Sequence, residues 1–403
     1  MNRRSKKIKL LAISIVNAIV LLLVCYFADN WKFSILTGPS VGQRIEQVKE
    51  VLGWGEDRMP EDYVFINTAY DRELVRVVDE YGFPEGEIDI TDRKKLAEFL
   101  SQLDSRHKYV MMDVLLSDRF KSESDSLLVA EILNTERICI ARSSTAQLLD
   151  QRLIPNSGYT DYATHIYETN FVKYEFLNEG SETLPYKVFL HERPEDHLTS
   201  FGPFHFLNGR LSWKSLTLRF PIKLWNDTKA QVEDDLQEKV ILNLGADILN
   251  MGVDVPSLVK DKIVVIGDYR EDDIHDTYLG KISGPVINVN ALEALRNNEL
   301  EIPWWLIITL IIFYTGFSLL LLTPDSYSLK FNRKMIRIIP KSKFIRYLLS
   351  FIGYTVIFTI FAIIIYLSSG IDINVFIPSI WFTALSAIIK YRRGRFDKYK
   401  LSL

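Results

Sequence analysis

Four long apolar segments constrain this chain more strongly than any other feature of its sequence. They cover residues 8–28, 303–323, 345–368 and 371–389. Each segment is close to the ~20 residues with which an α-helix crosses a ~30 Å hydrocarbon layer. Charged side chains lie only at the edges of the segments, as expected because a charge near the bilayer centre costs at least ~2.5 kcal/mol. The sequence therefore predicts four transmembrane α-helices.

Basic residues cluster beside these segments and predict their orientation. One cluster lies in residues 3–9, a second in the loop 324–344 and a third in residues 390–400. Because cytoplasmic loops are enriched in Lys and Arg, both termini are expected in the cytoplasm. We then expect a multi-pass protein of the cell (inner) membrane, with residues 30–302 on the extracytoplasmic or periplasmic side. Anionic membrane lipid is a candidate partner of the basic loop, although the orientation rule alone also explains its charge.

This layout divides the chain into four parts. Residues 1–29 form a basic cytoplasmic N-terminus with the first transmembrane helix, and residues 30–302 form the exported domain. Residues 303–391 contain the other three transmembrane helices, and residues 392–403 form a short basic tail. An alternative interpretation makes residues 1–28 a cleaved signal peptide, but the apolar run is longer than the ~7–15 residues of a typical signal core.

Charge and cysteine content narrow the partners and cross-links of the chain. Its 403 residues carry a formal net charge of −3, and the basic excess lies beside the apolar segments. Nucleic acid is therefore not an expected partner. Cys25 lies inside the first apolar segment and Cys139 in an apolar run of the exported domain, so no intramolecular disulfide is expected. An exported domain without a disulfide must rely on packing.

Within the exported domain, short apolar runs alternate with segments of helical periodicity. The runs predict strands over residues 63–69, 109–116, 137–141 and 262–267. The periodic segments predict helices over residues 42–52, 91–104, 124–133 and 288–296. Because buried strands that alternate with helices form parallel sheets, we predict an α/β extracytoplasmic domain with a mainly parallel sheet and helices on both faces.

A long insertion with a different pattern separates the third and fourth predicted strands. Residues 170–177 and 186–190 are expected to pair as a β-hairpin, and Asn208-Gly209 predicts a second hairpin. A helix over residues 232–251 is expected to close the insertion. The prediction for this domain is thus a parallel sheet with a β-hairpin insertion.

Polar residues follow the predicted strands at the points where the strands end. They are Asp71, Asp113, Asp118, Ser143 and Asp268. Because open parallel sheets bind ligands beyond the carboxyl ends of their strands, these are candidate ligand-binding residues. Asp113 stands among apolar strand residues and needs a partner or a water-filled cleft, although a structural salt bridge explains it equally well.

An acidic stretch after the last of these strands adds His275 and Asp276 to the candidate ligand-binding residues. Its carboxylates suit Mg²⁺ or Ca²⁺, but a solvated loop is the favoured interpretation. Hydrolysis would need Ser143 or Ser144 paired with His275 and one of the aspartates, yet no G-x-S-x-G motif surrounds either serine. Nucleotide-binding glycine motifs are also absent from the sequence. We therefore predict no catalytic residue, no metal and no cofactor, and thus no enzyme.

Three blocks of the exported domain carry a distinctive combination of motifs. The first runs from FINTAYD (65–71) to YVMMDVLLSD (109–118), and the second is SESDSLLVAEIL (122–133). The third and most specific, residues 260–300, combines a strand ending in Gly, a D-T motif and an N-A-x-E-A-L helix. Together these blocks, which span about residues 60–300, resemble the type 2 CHASE family of extracytoplasmic sensor domains found in bacterial signalling proteins.

The resemblance implies a membrane-bound sensor that detects an extracytoplasmic ligand, and family analogy suggests a homodimer. Family members generally pass their signal to kinase or cyclase modules after the membrane spans. Only residues 390–403 follow the last apolar segment here, so a separate signalling output protein is the expected partner. An alternative is a structural role, with the exported domain as a docking module of an envelope assembly. A transporter is less favoured, because the second apolar segment lacks ionisable residues.

Overall fold

The structure, a computed structural model, describes most of the chain. The described residues are 3–30, 33–34, 40–55, 61–78, 83–160, 162–165, 171–178, 180–224, 241–270, 272–323 and 343–400. Its α-helices are α1 (Arg3–Asp29), α2 (Val41–Val51), α3 (Arg93–Ser101), α4 (Asp125–Asn134), α5 (Leu184–Glu192), α6 (Val255–Leu258), α7 (Gly284–Arg296), α8 (Trp304–Leu322), α9 (Lys343–Ser369) and α10 (Phe376–Lys400). A 3₁₀ helix covers Gln151–Asn156 and a π-helix covers Leu244–Leu249.

Nineteen strands lie in the described part of the chain, many of them very short. They are β1 (Phe33–Ser34), β2 (Tyr63–Asn67), β3 (Arg72–Val78), β4 (Pro84–Thr91), β5 (Tyr109–Asp113), β6 (Ile138–Arg142), β7 (Ser157–Tyr159), β8 (Tyr162–His165), β9 (Phe171–Glu175), β10 (Leu177–Asn178), β11 (Ser181–Glu182), β12 (Leu198–Phe201), β13 (Phe204–Leu207), β14 (Arg210–Ser212), β15 (Ser215–Leu216), β16 (Ile241–Asn243), β17 (Ile263–Gly267), β18 (Ile274–Thr277) and β19 (Gly280–Ser283).

Three helices are long and apolar enough to cross a membrane, which indicates a membrane protein. These spans are Lys7–Asp29 in α1, Trp304–Leu322 in α8 and Tyr347–Ser369 in α9. They confirm the first three predicted apolar segments. The α/β domain follows α1 and precedes α8, so both of its covalent links lie at one end of the helices.

The prediction of a fourth membrane-spanning helix over residues 371–389 was wrong. Helix α10 begins only at Phe376, so its apolar part, which ends before Lys390, is shorter than the ~20 residues that a span needs. A polar turn replaces the expected start of the helix. Gly370 adopts a left-handed φ of 70°, and the Asn374 side chain accepts a hydrogen bond from the Ile377 N–H at 3.0 Å. The turn therefore caps α10 and delays its first residue.

Helix α10 nevertheless packs against the three spans in one bundle. Leu21, Leu306, Phe358 and Phe382, one residue from each of the four helices, share the buried cluster at its centre. Asn17 of α1 links two partners by hydrogen bonds: it donates to the Ser318 hydroxyl at 3.4 Å and accepts from the Trp381 indole N–H at 3.0 Å. These polar contacts fix α1 against both α8 and α10.

The α/β domain is built on a six-stranded sheet in the order β16-β2-β17-β5-β6-β7. All of its neighbouring strands run parallel. Val265 of β17 pairs with Phe65 on one side and with Met111 on the other, so β17 lies between the first two predicted strands. The structure thus confirms the predicted α/β class and the four predicted strands of the sheet.

Helices cover both faces of this sheet, because its strands are apolar on both sides. Phe65, Met111 and Val265 face a core that also contains residues of α5 and α7. Their neighbours Ile66 and Val264 face a second core, shared with α3 and α4. Helices α2, α3, α4 and α7 lie close to the positions that the periodic segments predicted. Two separate cores therefore hold the sheet between helical layers.

The predicted pairing of residues 170–177 with residues 186–190 was wrong. The first segment is β9, but the second lies in helix α5. Pro185 occupies the first turn of that helix, where its fixed φ favours helix formation. Leu184 and Val188, one helical turn apart, are both fully buried. A short apolar run with helical spacing thus forms a helix here, whereas the run alone does not distinguish helix from strand.

The remaining predictions for the insertion had different outcomes. The hairpin at Asn208-Gly209 is confirmed, since the two residues have positive φ and join the antiparallel strands β13 and β14. The predicted helix over residues 232–251 lies partly outside the described residues. Its described part is not an α-helix, because Ile241–Asn243 forms the edge strand β16 and Leu244–Leu249 forms a π-helix.

Candidate functional site

Acidic side chains lie at the carboxyl ends of the central strands, as predicted. Asp71 is buried and accepts hydrogen bonds from Lys95 Nζ at 2.8 Å and from the Gly245 backbone N–H at 2.9 Å. Asp268, which directly follows β17, forms an ion pair with Arg72 at 2.5 Å. Cations of the same domain therefore balance both carboxylates.

Asp113 ends β5 and has an amide partner instead of a cation. Asn288 of α7 donates to its Oδ2 at 2.6 Å, and the Tyr174 hydroxyl donates to Asn288 Oδ1 at 2.6 Å. Gly267 makes this arrangement possible, because a side chain there would collide with Pro285 at the start of α7. The helix thereby packs directly against β17 and brings Asn288 to Asp113.

A second carboxylate, that of Asp273, lies close enough to change the ionisation of Asp113. Burial and the charge of Asp273 together raise the pKa of Asp113 well above its ordinary value, against the opposing effect of the Asn288 hydrogen bond. Burial, followed by the charges of Asp113 and Asp273, also raises the pKa of Tyr269. A neighbouring negative charge and loss of water both disfavour an ionised carboxylate. The protonated form of Asp113 is therefore favoured beside Asp273.

His275 connects this carboxylate pair to a tyrosine. Its Nε2 lies 2.9 Å from Asp273 Oδ1, and its Nδ1 lies 3.1 Å from the Tyr162 hydroxyl. Burial and the charge of Asp273 raise the pKa of Tyr162. His275 and Asp273 are partly exposed, so the group is open to solvent on one side. We call Asp113, Asp273, His275, Tyr162 and Asn288 the strand-end cluster.

Five of the predicted site residues lie outside this cluster: Asp71 and Asp268, which have the cationic partners described above, and Asp118, Ser143 and Asp276. Asp118 and Asp276 are exposed. Ser143 makes its hydrogen bonds within its own turn: its Oγ accepts from the Thr145 N–H at 3.1 Å and lies 2.8 Å from the Thr145 hydroxyl. His275 bonds to Asp273 and Tyr162 instead, so the structure does not pair Ser143 with His275. Of the seven predicted residues, only Asp113 and His275 belong to the strand-end cluster.

The chemistry of the strand-end cluster is that of proton exchange and hydrogen bonding. Groups of three or more His, Cys, Asp or Glu side chains with metal-binding geometry are absent from the residues that the structure describes. Two carboxyl groups, an imidazole and a phenol lie side by side and offer both hydrogen-bond donors and acceptors to a polar ligand. The cluster therefore suits a small polar ligand or a proton.

Sequence reasoning missed three members of the cluster, namely Asp273, Tyr162 and Asn288. For Asp273 a signal existed, because it lies in the same acidic stretch as His275, two residues before that histidine. Tyr162 and Asn288 are far from Asp113 in the sequence, and only the folded sheet brings them together. Neither gave a local signal.

A large cavity of about 1230 Å³ lies elsewhere, at the junction between the α/β domain and the helical bundle. From the domain it is lined by α2 and by the segment around β15. From the bundle it is lined by residues near the ends of α1 and α9 and by the start of α10. This volume, which we call the junction cavity, exceeds the ~300–1,000 Å³ of typical small-molecule pockets.

Hydrogen bonds across the junction cavity join the domain to the helical bundle. The Gly42 N–H of α2 donates to Asp372 Oδ1 at 3.2 Å, and the Tyr366 hydroxyl of α9 donates to Glu46 Oε1 at 2.7 Å. On the bundle side of the cavity, Asn374 of the turn before α10 donates to Asp29 Oδ1, at the end of α1, at 3.0 Å. Helix α2 and the turn before α10 are thereby held together, although about 330 residues separate them in the sequence.

The lining of the junction cavity carries both signs of charge. Lys223 pairs with Glu50, and Arg219 pairs with Glu299. Ser215 also lines the cavity, and its buried hydroxyl has no hydrogen-bond partner among the described residues. A buried hydroxyl without a partner costs free energy, so Ser215 is a less consolidated point of the lining than the ion pairs beside it.

Comparisons of the chain with protein-family models, with curated proteins and with solved structures gave no match. The functional interpretation therefore depends on the geometry of the two sites and on the three membrane-spanning helices.

Proposed function

We propose that this chain is a membrane-bound sensor whose exported domain detects an extracytoplasmic signal and relays it through its helices to a separate output protein. The junction cavity carries this proposal. A ligand there would touch α2 and β15 of the domain and, at the same time, the ends of α1, α9 and α10. A ligand that prefers one arrangement of these elements shifts the population of the whole molecule toward it. The resemblance to type 2 CHASE sensor domains supports the same function, with a homodimer as the expected assembly.

The proposed orientation places the N-terminus and the loop 324–344 in the cytoplasm and residues 30–302 outside. The turn before α10 contacts α2 of the domain, so α9 ends and α10 begins at the domain side of the bundle. The basic clusters in residues 3–9 and 324–344 then lie on the cytoplasmic side, where anionic lipid is their proposed partner.

Cavity-blocking variants test the sensor function. The full chain in lipid nanodiscs is incubated with fractions of an envelope extract, and its melting temperature is measured for each fraction. Bound ligand stabilises the folded state, so an active fraction raises the melting temperature. We expect Ser215→Leu, which adds bulk to the cavity, to abolish this rise, and Ser215→Ala, which only removes the hydroxyl, to retain it.

Two results would argue against the sensor function. One is that no fraction raises the melting temperature of the wild-type chain. The other is an equal rise in Ser215→Leu and wild type, which would place binding outside the junction cavity.

A second candidate function is a docking module for an envelope assembly. The antiparallel pair β3 and β4 exposes large apolar side chains at its surface, with Leu74 70% and the adjoining Phe83 68% exposed. The two residues lie at opposite ends of the pair, since Leu74 is opposite Asp89 whereas Phe83 precedes Pro84, which is opposite Val78. Each is therefore a separate exposed apolar contact point. Replacement of both residues by Ser should abolish co-purification of an envelope protein if docking is the function, and should leave the extract-induced rise in melting temperature intact if sensing is.

A further inference from the structure

The hairpin formed by β12 and β13 extends from the domain core to the helical bundle. At one end Leu198 pairs with Leu207, and both are buried in the core that α5 and α7 share. At the other end Phe201 pairs with Phe204, and Phe204 packs against the cluster of the bundle. The tip of the hairpin thus points away from the domain core and toward the membrane helices.

Aromatic contacts fix the level of this tip along α1. The Phe204 ring lies 5.7 Å from the Tyr26 ring and 5.6 Å from the Phe27 ring, centroid to centroid. The Tyr26 hydroxyl accepts a hydrogen bond from the His205 N–H at 2.9 Å and donates to the Ser212 carbonyl at 3.0 Å. Tyr26 and Phe27 belong to the last turn of the span Lys7–Asp29. The tip therefore lies at the level where α1 leaves the hydrocarbon.

The composition of the tip suits lipid. Its four residues, Phe201-Gly202-Pro203-Phe204, carry no charge and no polar side chain. Gly202 has a φ of 59°, as the first central residue of a tight hairpin turn requires, and Pro203 has no N–H to desolvate. Phe201 is 81% exposed. Because directly paired residues of antiparallel strands project to the same face, Phe201 shares the face of Phe204 that contacts α1.

We propose that this hairpin tip inserts into the membrane interface and that lipid covers Phe201. Lipid is the expected occupant because the tip lies beside other aromatic residues at the domain end of the membrane spans. Trp304 and Trp305, the first residues of α8, are likewise exposed at the domain end of the bundle. Trp and other aromatic residues concentrate at this depth of a membrane. The tip gives the exported domain an attachment to the bilayer in addition to α1 and α8.

A fluorescent label at the tip tests the proposal in the full chain. Phe201→Cys is prepared with Cys25 and Cys139 replaced by Ala, labelled with a polarity-sensitive fluorophore and reconstituted into vesicles of phosphatidylethanolamine and phosphatidylglycerol. Leu127→Cys is the matched control, because Leu127 is an exposed residue of α4, which covers the sheet face opposite to the insertion. Because Phe201 is largely exposed, its replacement leaves the packing of the domain intact.

The two labels should respond in opposite ways to two quenchers. We expect spin-labelled lipid to quench the label at position 201 at least severalfold more than the label at position 127, and aqueous iodide to quench it less. Equal iodide quenching at both positions, with no effect of spin-labelled lipid at position 201, would overturn the proposal. That result would show the tip in water, where a protein partner would have to cover it.

Discussion

The strand-end residues and the junction cavity differ in how their polar groups are balanced. At the strand ends, the buried Asp71 has Lys95 and a backbone N–H as partners, and Asp268 has Arg72. At the junction, ion pairs such as Arg219 with Glu299 line a large open volume, and the Ser215 hydroxyl has no partner among the described residues. The edge of the sheet is consolidated by its own contacts, whereas the junction has room for a ligand.

This difference shows that a fold class indicates where ligands usually bind but not where space remains. Parallel sheets bind ligands beyond the carboxyl ends of their strands. Here much of that edge is occupied by hydrogen bonds within the domain, and the strand-end cluster remains as its partly exposed portion. The large volume instead lies where the domain meets the bundle, at a place that only the membrane attachment creates.

The largest effect on stability is expected for Asp71→Ala. The substitution leaves the buried Gly245 N–H without its acceptor and removes the partner of Lys95, which is itself partly exposed and can be hydrated. Loss of a buried charged partner costs about 2–4 kcal/mol, which corresponds to a fall in melting temperature on the order of 5–10 °C. This fall in melting temperature is measured by thermal unfolding of the full chain in detergent, with near-ultraviolet circular dichroism as the signal.

Asp71→Asn is the control for this prediction, because it keeps an acceptor oxygen for the Gly245 N–H while removing the charge. Its melting temperature should lie between those of Asp71→Ala and wild type. If Asp71→Ala unfolds at the wild-type temperature, the strand ends are not consolidated in the way that their contacts indicate.

The parallel sheet could be predicted from sequence because its strands are apolar on both faces. Residues such as Val264, Val265 and Ile266 form a continuous run that few other elements produce. Acidic residues at the ends of such runs identified Asp71, Asp113 and Asp268 by position alone. What the sequence could not supply was the partner of each carboxylate.

Contacts between distant segments account for most of what could not be predicted. The hydrogen bond from Gly42 to Asp372 joins a domain helix to a membrane-proximal turn, and no local sequence pattern at either residue predicts it. Likewise, the apolar residues Ile371, Ile373 and Val375 favoured a longer helix, whereas the Asn374 side chain caps α10 and Gly370 adopts a left-handed φ, so the helix begins later. Apolarity predicts membrane segments well, but their first residues depend on local capping.

A smaller effect, with a distinctive pH dependence, is expected for Asp113→Asn. The folded protein raises the pKa of Asp113 through burial and the Asp273 charge. Between the ordinary Asp pKa of about 3.9 and this raised value, the folded state holds a proton that the unfolded chain has lost, so wild-type stability falls as pH rises. Asn avoids this loss, and its advantage should reach about 1.4 kcal/mol for each unit by which the pKa is raised.

Melting temperatures of Asp113→Asn and wild type at pH 4, 6 and 8 measure this effect. We expect the difference to be small at pH 4 and to favour Asn increasingly toward pH 8. The exposed Asp276→Asn serves as the control and should show no such trend. A difference that stays constant with pH would mean that the fold does not raise the pKa of Asp113.

The smallest effect is expected at the junction, for Glu299→Gln. Arg219 keeps 38% of its side chain exposed, so water and salt screen its ion pair with Glu299, and such pairs contribute about 0–1 kcal/mol. The melting temperature should fall by no more than about 2 °C. The difference from wild type should shrink further in about 0.5 M salt, because salt at that concentration strongly screens the ion pair. A fall as large as that of Asp71→Ala would show that the junction is as tightly consolidated as the strand ends. The polar lining of the cavity would then be a structural support, because a ligand could not rearrange contacts of that strength.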